Sequence, residues 1–212
     1  MEVIPTIFST TEKEFNERFE KLSKISKELQ IDIMDGKFVK SKSVPVERIP
    51  YLFGSGKIME AHLMVNNPED YIEPLRLKGF GRIIFHYEAL KNYDKIVLLI
   101  KKIRSYGMHA VIAINPETKP EKLKPIMEHL HHILIMGVNP GKENQKLKKE
   151  TITKIKWFKK NYPNIRIQID GGVDKDSAKT LYKAGADILN SGSYVAKSKN
   201  PEKALRELEN GA

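Results

Sequence analysis

The chain has 212 residues, 40% hydrophobic and 30% charged, which suits one domain with a sizeable core and a heavily charged surface. It has no cysteine, which excludes a disulfide framework and thiolate chemistry, and no apolar run approaches the ~20 residues needed to span a bilayer. Lys and Arg number 37 against 27 Asp and Glu, a net charge of +10, but the lysines are scattered through nearly every segment with only a mild cluster from Lys142 to Lys160, so the charge reads as a solvated surface that favours small anions and not as a nucleic-acid footprint.

Met1 to Pro5 lack the charged-then-apolar pattern of a signal peptide, so a cytoplasmic location is expected. From there short apolar runs alternate with longer amphipathic ones. Strands are predicted over Val3–Phe8, Gln30–Met34, Ile58–Met64, Arg82–His86, His109–Ile114, Ile133–Val138, Ile165–Asp170 and Asp187–Asn190. Helices are predicted between them over Glu12–Leu29, Pro68–Lys78, Tyr93–Tyr106, Pro120–His129, Lys148–Asn161, Asp174–Ala184 and Pro201–Leu208, with Gly185 capping the one before the last strand. Strands separated by helices run parallel with right-handed crossovers. Eight such units predict an α/β fold, a single (β/α)8 TIM barrel over residues 1–212. An open doubly wound sheet is the alternative, although no glycine-rich dinucleotide fingerprint follows the first strand.

Strand two carries the first chemical signal. Side chains alternate along a strand, so Ile31 and Ile33 share one face while Gln30, Asp32 and Met34 share the other. An acid on a buried face needs a partner or an ion. Asp35-Gly36 then ends the strand. Two later strands repeat the pattern, with His62 before Leu63-Met64 and Asp170 before Gly171-Gly172. Barrel active sites lie at the C-terminal ends of the strands. Asp32, His62 and Asp170 all fall there, so an acid, an imidazole and a second acid can meet on one ion or one substrate carbon. The same rim takes Thr6, Ser9, His86, Asn115, Met136 to Gly141, and Ser191 to Ser193.

Along nearly its whole length the chain resembles the ribulose-phosphate 3-epimerase family. The matching residues are Ile4-Pro5-Thr6-Ile7-Phe8-Ser9, Asp32-Ile33-Met34-Asp35-Gly36 with Phe38-Val39, and His62-Leu63-Met64. Asn66 and Pro68 with Tyr71-Ile72, then Asn115-Pro116, Val138 to Gly141, Asp170 to Val173, and Ala184 to Asp187 leading to Gly192-Ser193 complete the match. The resemblance implies an isomerase of carbohydrate metabolism that epimerises D-ribulose 5-phosphate and D-xylulose 5-phosphate. Asp32 and Asp170 match the two aspartates that act as acid and base on opposite faces of the sugar. It also implies one divalent metal ion (zinc, manganese, iron or cobalt) held by Asp32, His62 and Asp170. The fourth ligand position falls on Gln30. For substrate contacts the matching residues are Ser9, His62, Met34, Met64, Met136, Gly141, Lys142, Glu143, Asn144, Gly171, Gly172, Gly192 and Ser193. The implied partner is a small anionic sugar phosphate, with no membrane and no specific nucleic acid, and the family implies a homo-oligomer.

Two departures stand out. The family has a histidine where this chain has Gln30, whose oxygen is a harder and poorer ligand for zinc-like ions. After strand six the family's glycine-rich phosphate loop is replaced by Gly141-Lys142-Glu143-Asn144-Gln145. Lys142 supplies charge there, Glu143 repels a phosphate, and Lys37 replaces a frequent histidine after strand two. These departures keep two alternatives open: an epimerase or isomerase of another ketose or ketose phosphate, and a non-catalytic sugar-phosphate-binding relative.

Overall fold

Each strand-like run is apolar on at least one face, and several on both, which fits strands covered by helices outside and by other strands within. In the computed structural model, which describes residues 2–210, the runs form eight parallel strands. These are β1 (Glu2–Ile7), β2 (Glu28–Met34), β3 (Ile58–Met64), β4 (Arg82–His86), β5 (His109–Ile114), β6 (His132–Met136), β7 (Arg166–Asp170) and β8 (Ile188–Ser191). They pair in sequence order, and β8 pairs with β1 to close a barrel. The expected extent of 1–212 includes Met1, Gly211 and Ala212, which lie outside the described residues.

The helices are α1 (Glu12–Ser23), α2 (Ile72–Lys78), α3 (Tyr87–Leu90), α4 (Tyr93–Ser105), α5 (Glu150–Asn161), α6 (Lys175–Ala184), α7 (Ser193–Ala196) and α8 (Pro201–Asn210). Caps fix several starts: Thr11 accepts from the Glu14 amide, Asn92 from the Lys95 amide, and Asp174 forms a capping box with Ser177. Gly185 ends α6 with φ 110°, as its position foretells.

Three expectations need correction. The first helix stops at Ser23, not Leu29, because residues 28 and 29 are claimed by the sheet, where Glu28 pairs with Ile58 and Leu29 with Met59. Pro120–His129 is 3-10 rather than α, since Pro125 has no amide to donate inside it. β6 ends at Met136, two residues early, because Gly137 turns away and its amide meets the Asp170 carbonyl at 2.7 Å. Short α3 and α7 are not visible as periodic runs.

The core has two layers. The larger lies between strands and helices and includes Ile31, Ile33, Leu63, Phe85, Ile112, Ile135, Ile167 and Phe158. A second, separate cluster of Ile84, Val111, Ala113, Leu134 and Met136 fills one side of the lumen. Gln30, Asp32, Glu60, His62, Gln168, Asp170 and Asn190, from β2, β3, β7 and β8, are buried and polar, and hydrogen-bond to one another. Among the described residues no helix is long and apolar enough to cross a membrane.

Candidate active site

The polar half of the barrel is built by register. Asp32 pairs in the sheet with His62, and Asp170 with Asn190, so side chains of like height point inward together. His62 Nδ1 lies 3.1 Å from Asp32 Oδ1 and 3.0 Å from Asp170 Oδ2. Gln30 Nε2 donates to the same two oxygens, at 2.9 Å and 2.7 Å. The two carboxylates thus share two donors. Burial pushes the Asp32 carboxyl up to about 6, against the pull of His62 and with the help of the Asp170 charge. Burial alone would lower His62, but hydrogen bonds to Asp170 and Asp32 outweigh it and push the imidazole up to about 10.

Behind His62 stands a second imidazole that the motif reading assigned only to the rim. His86 Nε2 is 2.8 Å from His62 Nε2, and His86 Nδ1 faces Glu88 Oε2 at 3.4 Å. Glu88 also accepts from the Asn115 amide and from Thr118. Burial lowers His86. With a cation in place of its Nδ1 proton, a neutral His62 would give its Nε2 hydrogen to His86 and present the Nδ1 lone pair on the carboxylate side. One ligand atom each from Asp32, His62 and Asp170 lies within 4.8 Å of the others. This O, N, O set with an oriented imidazole fits a divalent ion. Gln30 joins the cluster differently from a ligand: its nitrogen faces the carboxylates and its oxygen accepts from Asn190 Nδ2 at 2.8 Å.

The cluster opens into a pocket of about 440 Å³. Of the residues singled out in the sequence, Asp32, His62, Asp170, Met64, Met136, Gly141 to Asn144, Gly171, Gly172, Gly192 and Ser193 line it. Ser9 and Met34 are buried outside that lining, and Gln30 lies beneath it. The glycines at the rim are required by space. A Cβ on Gly172 would sit 2.7 Å from the Leu147 backbone, and one on Gly171 2.3 Å from Val138; both have positive φ.

At the β6–β8 end of the pocket the charges are already paired. Glu143 accepts from Arg18 at 2.7 and 3.0 Å and meets Lys197 at 2.9 Å, while Arg18 also holds Glu14 at 2.6 Å. A Cβ on Gly192 would lie 3.7 Å from Glu143 Oε1, so the carboxylate hangs over the turn after β8. Asn144, in the same loop, has a positive φ of 58°. Motif reading missed Arg18, on α1, since nothing in the local pattern ties it to residue 143.

Comparison with known proteins agrees with this geometry. The model of the ribulose-phosphate 3 epimerase family matches residues 2–196. Ribulose-phosphate 3-epimerase of Schizosaccharomyces pombe is 31% identical over 186 residues, 86% of this chain and 80% of that protein. The cytoplasmic isoform of Oryza sativa is 33% identical, covering 85% and 80%. Among solved structures, 3-hexulose-6-phosphate synthase from Salmonella typhimurium superposes with a TM-score of 0.73 at 14% identity, over 100% of this chain and 98% of that one, a likeness of fold.

Proposed function

The chain belongs to the ribulose-phosphate 3-epimerase family, whose members are isomerases, and from that premise we propose that it interconverts D-ribulose 5-phosphate and D-xylulose 5-phosphate with Asp32 and Asp170 as its acid–base pair. The observation that carries this reading is the pair itself: two buried carboxylates from β2 and β7, on one pocket wall, bridged by His62 and Gln30.

Inverting a carbon beside a ketone needs one group to take its proton and another to return a proton to the opposite face. Two carboxylates anchored on different strands suit that task, one ionised and one protonated at the start of each turnover. Burial that pushes Asp32 up to about 6 brings it nearer the pH at which a group can both hold and release a proton. His62 and Gln30 fix one oxygen of each carboxylate, which leaves the other free for the sugar. Met64 and Met136 give the pocket apolar walls that exclude water, and Lys142, Lys146 and Lys197 line its mouth, where an anionic substrate gains. A divalent ion held by Asp32, His62 and Asp170 would polarise the ketone and hold the negative charge that develops on its oxygen.

Asp170→Asn should lower turnover by at least ~10²-fold with the circular dichroism spectrum unchanged. Deuterium from solvent should enter the carbon beside the ketone during turnover by the unmodified protein. Normal turnover in the variant would overturn the assignment. The position of Glu143 favours one second reading, a ketose or ketose phosphate with less negative charge at the β6–β8 end of the pocket. A panel of ketoses and ketose phosphates, assayed with defined metals, separates the two by their kcat/KM values.

A further inference from the structure

Beneath the two aspartates the barrel lumen holds a chain of side-chain hydrogen bonds that runs in one direction. It begins at an ion pair of the half-buried Arg82 with the buried Glu60, with Arg82 NH1 2.6 Å from Glu60 Oε2. The other carboxylate oxygen, Oε1, accepts from Gln168 Nε2 at 2.5 Å and from Asn190 Nδ2 at 2.9 Å. Asn190 Oδ1 in turn accepts from Gln168 Nε2 at 2.6 Å. The second hydrogen on Asn190 Nδ2 goes to Gln30 Oε1 at 2.8 Å. Gln30 Nε2 then reaches Asp32 and Asp170.

Every amide in this chain has two possible orientations, and the carboxylate at its base selects one. Glu60 accepts and has no hydrogen to give while ionised, so both neighbouring amides must turn their nitrogens to it. Gln168 does so as well. Reversing Asn190 would set its oxygen against Glu60 Oε1 and against Gln30 Oε1. With Asn190 fixed, Gln30 can satisfy its oxygen only by facing Asn190, which leaves its nitrogen to the aspartates. These residues are all buried, so water does not offer an alternative partner.

We propose that Asn190 is a positioning residue which, held by the Arg82–Glu60 pair, keeps Gln30 a hydrogen-bond donor to Asp32 and Asp170 and prevents it from turning its oxygen to a cation there. A cation at Asp32, His62 and Asp170 therefore meets three ligands and an opposing amide, and its affinity is lower than the residue list suggests. The proposal rests on the reading of Asp32, His62 and Asp170 as metal ligands.

The test is titration of manganese, an oxygen-preferring ion, into metal-free protein, for wild type, Asn190→Leu, Gln30→Met and the double variant. Asn190→Leu removes the donor on the same branched side-chain skeleton and frees Gln30 to present its oxygen. It should tighten manganese binding by about 10-fold, the scale on which outer partners tune a site. Gln30→Met should abolish that gain when combined with Asn190→Leu and should not weaken binding in wild type. Equal manganese affinity in wild type and Asn190→Leu, or an equal loss on Gln30→Met in both backgrounds, would overturn the proposal. Absence of binding in wild type, unchanged by Asp170→Asn, would overturn the metal reading beneath it. A second readout needs no ion: the Gln30 side-chain NH2 resonances of metal-free protein should be slow to exchange with solvent and should lose that protection in Asn190→Leu. Unchanged protection would count against Asn190 as the orienting group. Where Asn190→Leu does not fold, Asn190→Ala removes the same donor and is read the same way.

Discussion

Arg18 grips the Glu143 carboxylate through both terminal nitrogens, at 2.7 and 3.0 Å, across 125 positions of sequence. Lys197 closes on the other side at 2.9 Å. Two cations that line or back the pocket are therefore paired to a carboxylate of the chain itself, which offsets one of their two charges. Glu143→Gln removes that charge and leaves Arg18 with Glu14 as its remaining acid. An anionic ligand at this end should then bind more tightly, by roughly tenfold, the factor that ~1.4 kcal/mol of relieved repulsion gives. The measurement is the inhibition constant of inorganic phosphate, alongside KM for the phosphorylated ketose. The same variant should unfold at lower urea, because Arg18 is buried and loses a bidentate partner. Unchanged phosphate inhibition would mean that phosphate sits elsewhere in the pocket.

Lys154, on α5, is buried and donates to the carbonyls of Asn115 and Pro116, both at 2.6 Å. Those two residues begin the loop after β5, whose Asn115 amide holds Glu88. Lys154→Met keeps the stem and removes the donors, leaving two carbonyls short of a partner. Stability should fall by about 1–3 kcal/mol in urea unfolding. Equal midpoints in the two proteins would show that water or another group takes over the carbonyls.

Much of the fold was legible because short apolar runs mark the strands: β3, β4 and β5 begin and end where those runs predict. The convergence of Asp32, His62 and Asp170 was legible too, since barrel topology gathers strand ends whatever the side chains are. What was not legible depends on distant partners. Gln30 read as an inward amide, but only Asn190 on β8, paired with Glu60, decides which end faces the acids. Glu143 read as a charge hostile to phosphate, while Arg18 and Lys197, which hold it, carry no local sign of that role. The overlong first helix has a similar cause, as Glu28 and Leu29 are good helix residues that the sheet register captures.

His132, at the start of β6, gives a pH dependence of stability. Burial lowers its imidazole to about 3, helped by the charges of Arg82 and Arg166 and opposed by Gln168. In the unfolded chain the ordinary value is 6.5. Between these two values the unfolded state binds a proton that the folded state refuses, so stability falls as pH drops from about 6.5 towards 3. From pH 7 to 5 this one group should cost on the order of 1–2 kcal/mol. His132→Asn removes the effect, so its urea midpoint should gain on that of wild type as pH falls. Midpoint curves that stay parallel over this range would refute the assignment.

The last expectation concerns Gln30→His, which restores the residue that the family resemblance puts at this position. Zinc favours imidazole nitrogen over an amide oxygen, so the exchange alone would be expected to tighten zinc binding. The neighbour at 2.8 Å opposes it. Asn190 Nδ2 donates toward this side chain, and a neutral imidazole that accepts from Asn190 on one nitrogen must carry its hydrogen on the other. That hydrogen would face Asp32 and Asp170, making the histidine a donor like the glutamine it replaces. To ligate, the ring needs an acceptor behind it, so Asn190 would have to turn its oxygen forward and lose Glu60. Gln30→His should therefore improve zinc affinity by less than about threefold, and Gln30→His with Asn190→Leu by about 10-fold or more, a gain larger than the two single changes predict by addition. Zinc titration of the four metal-free proteins measures it. A full gain from Gln30→His alone would show that Asn190 turns at little cost and that the ion pair beneath it does not fix the amide.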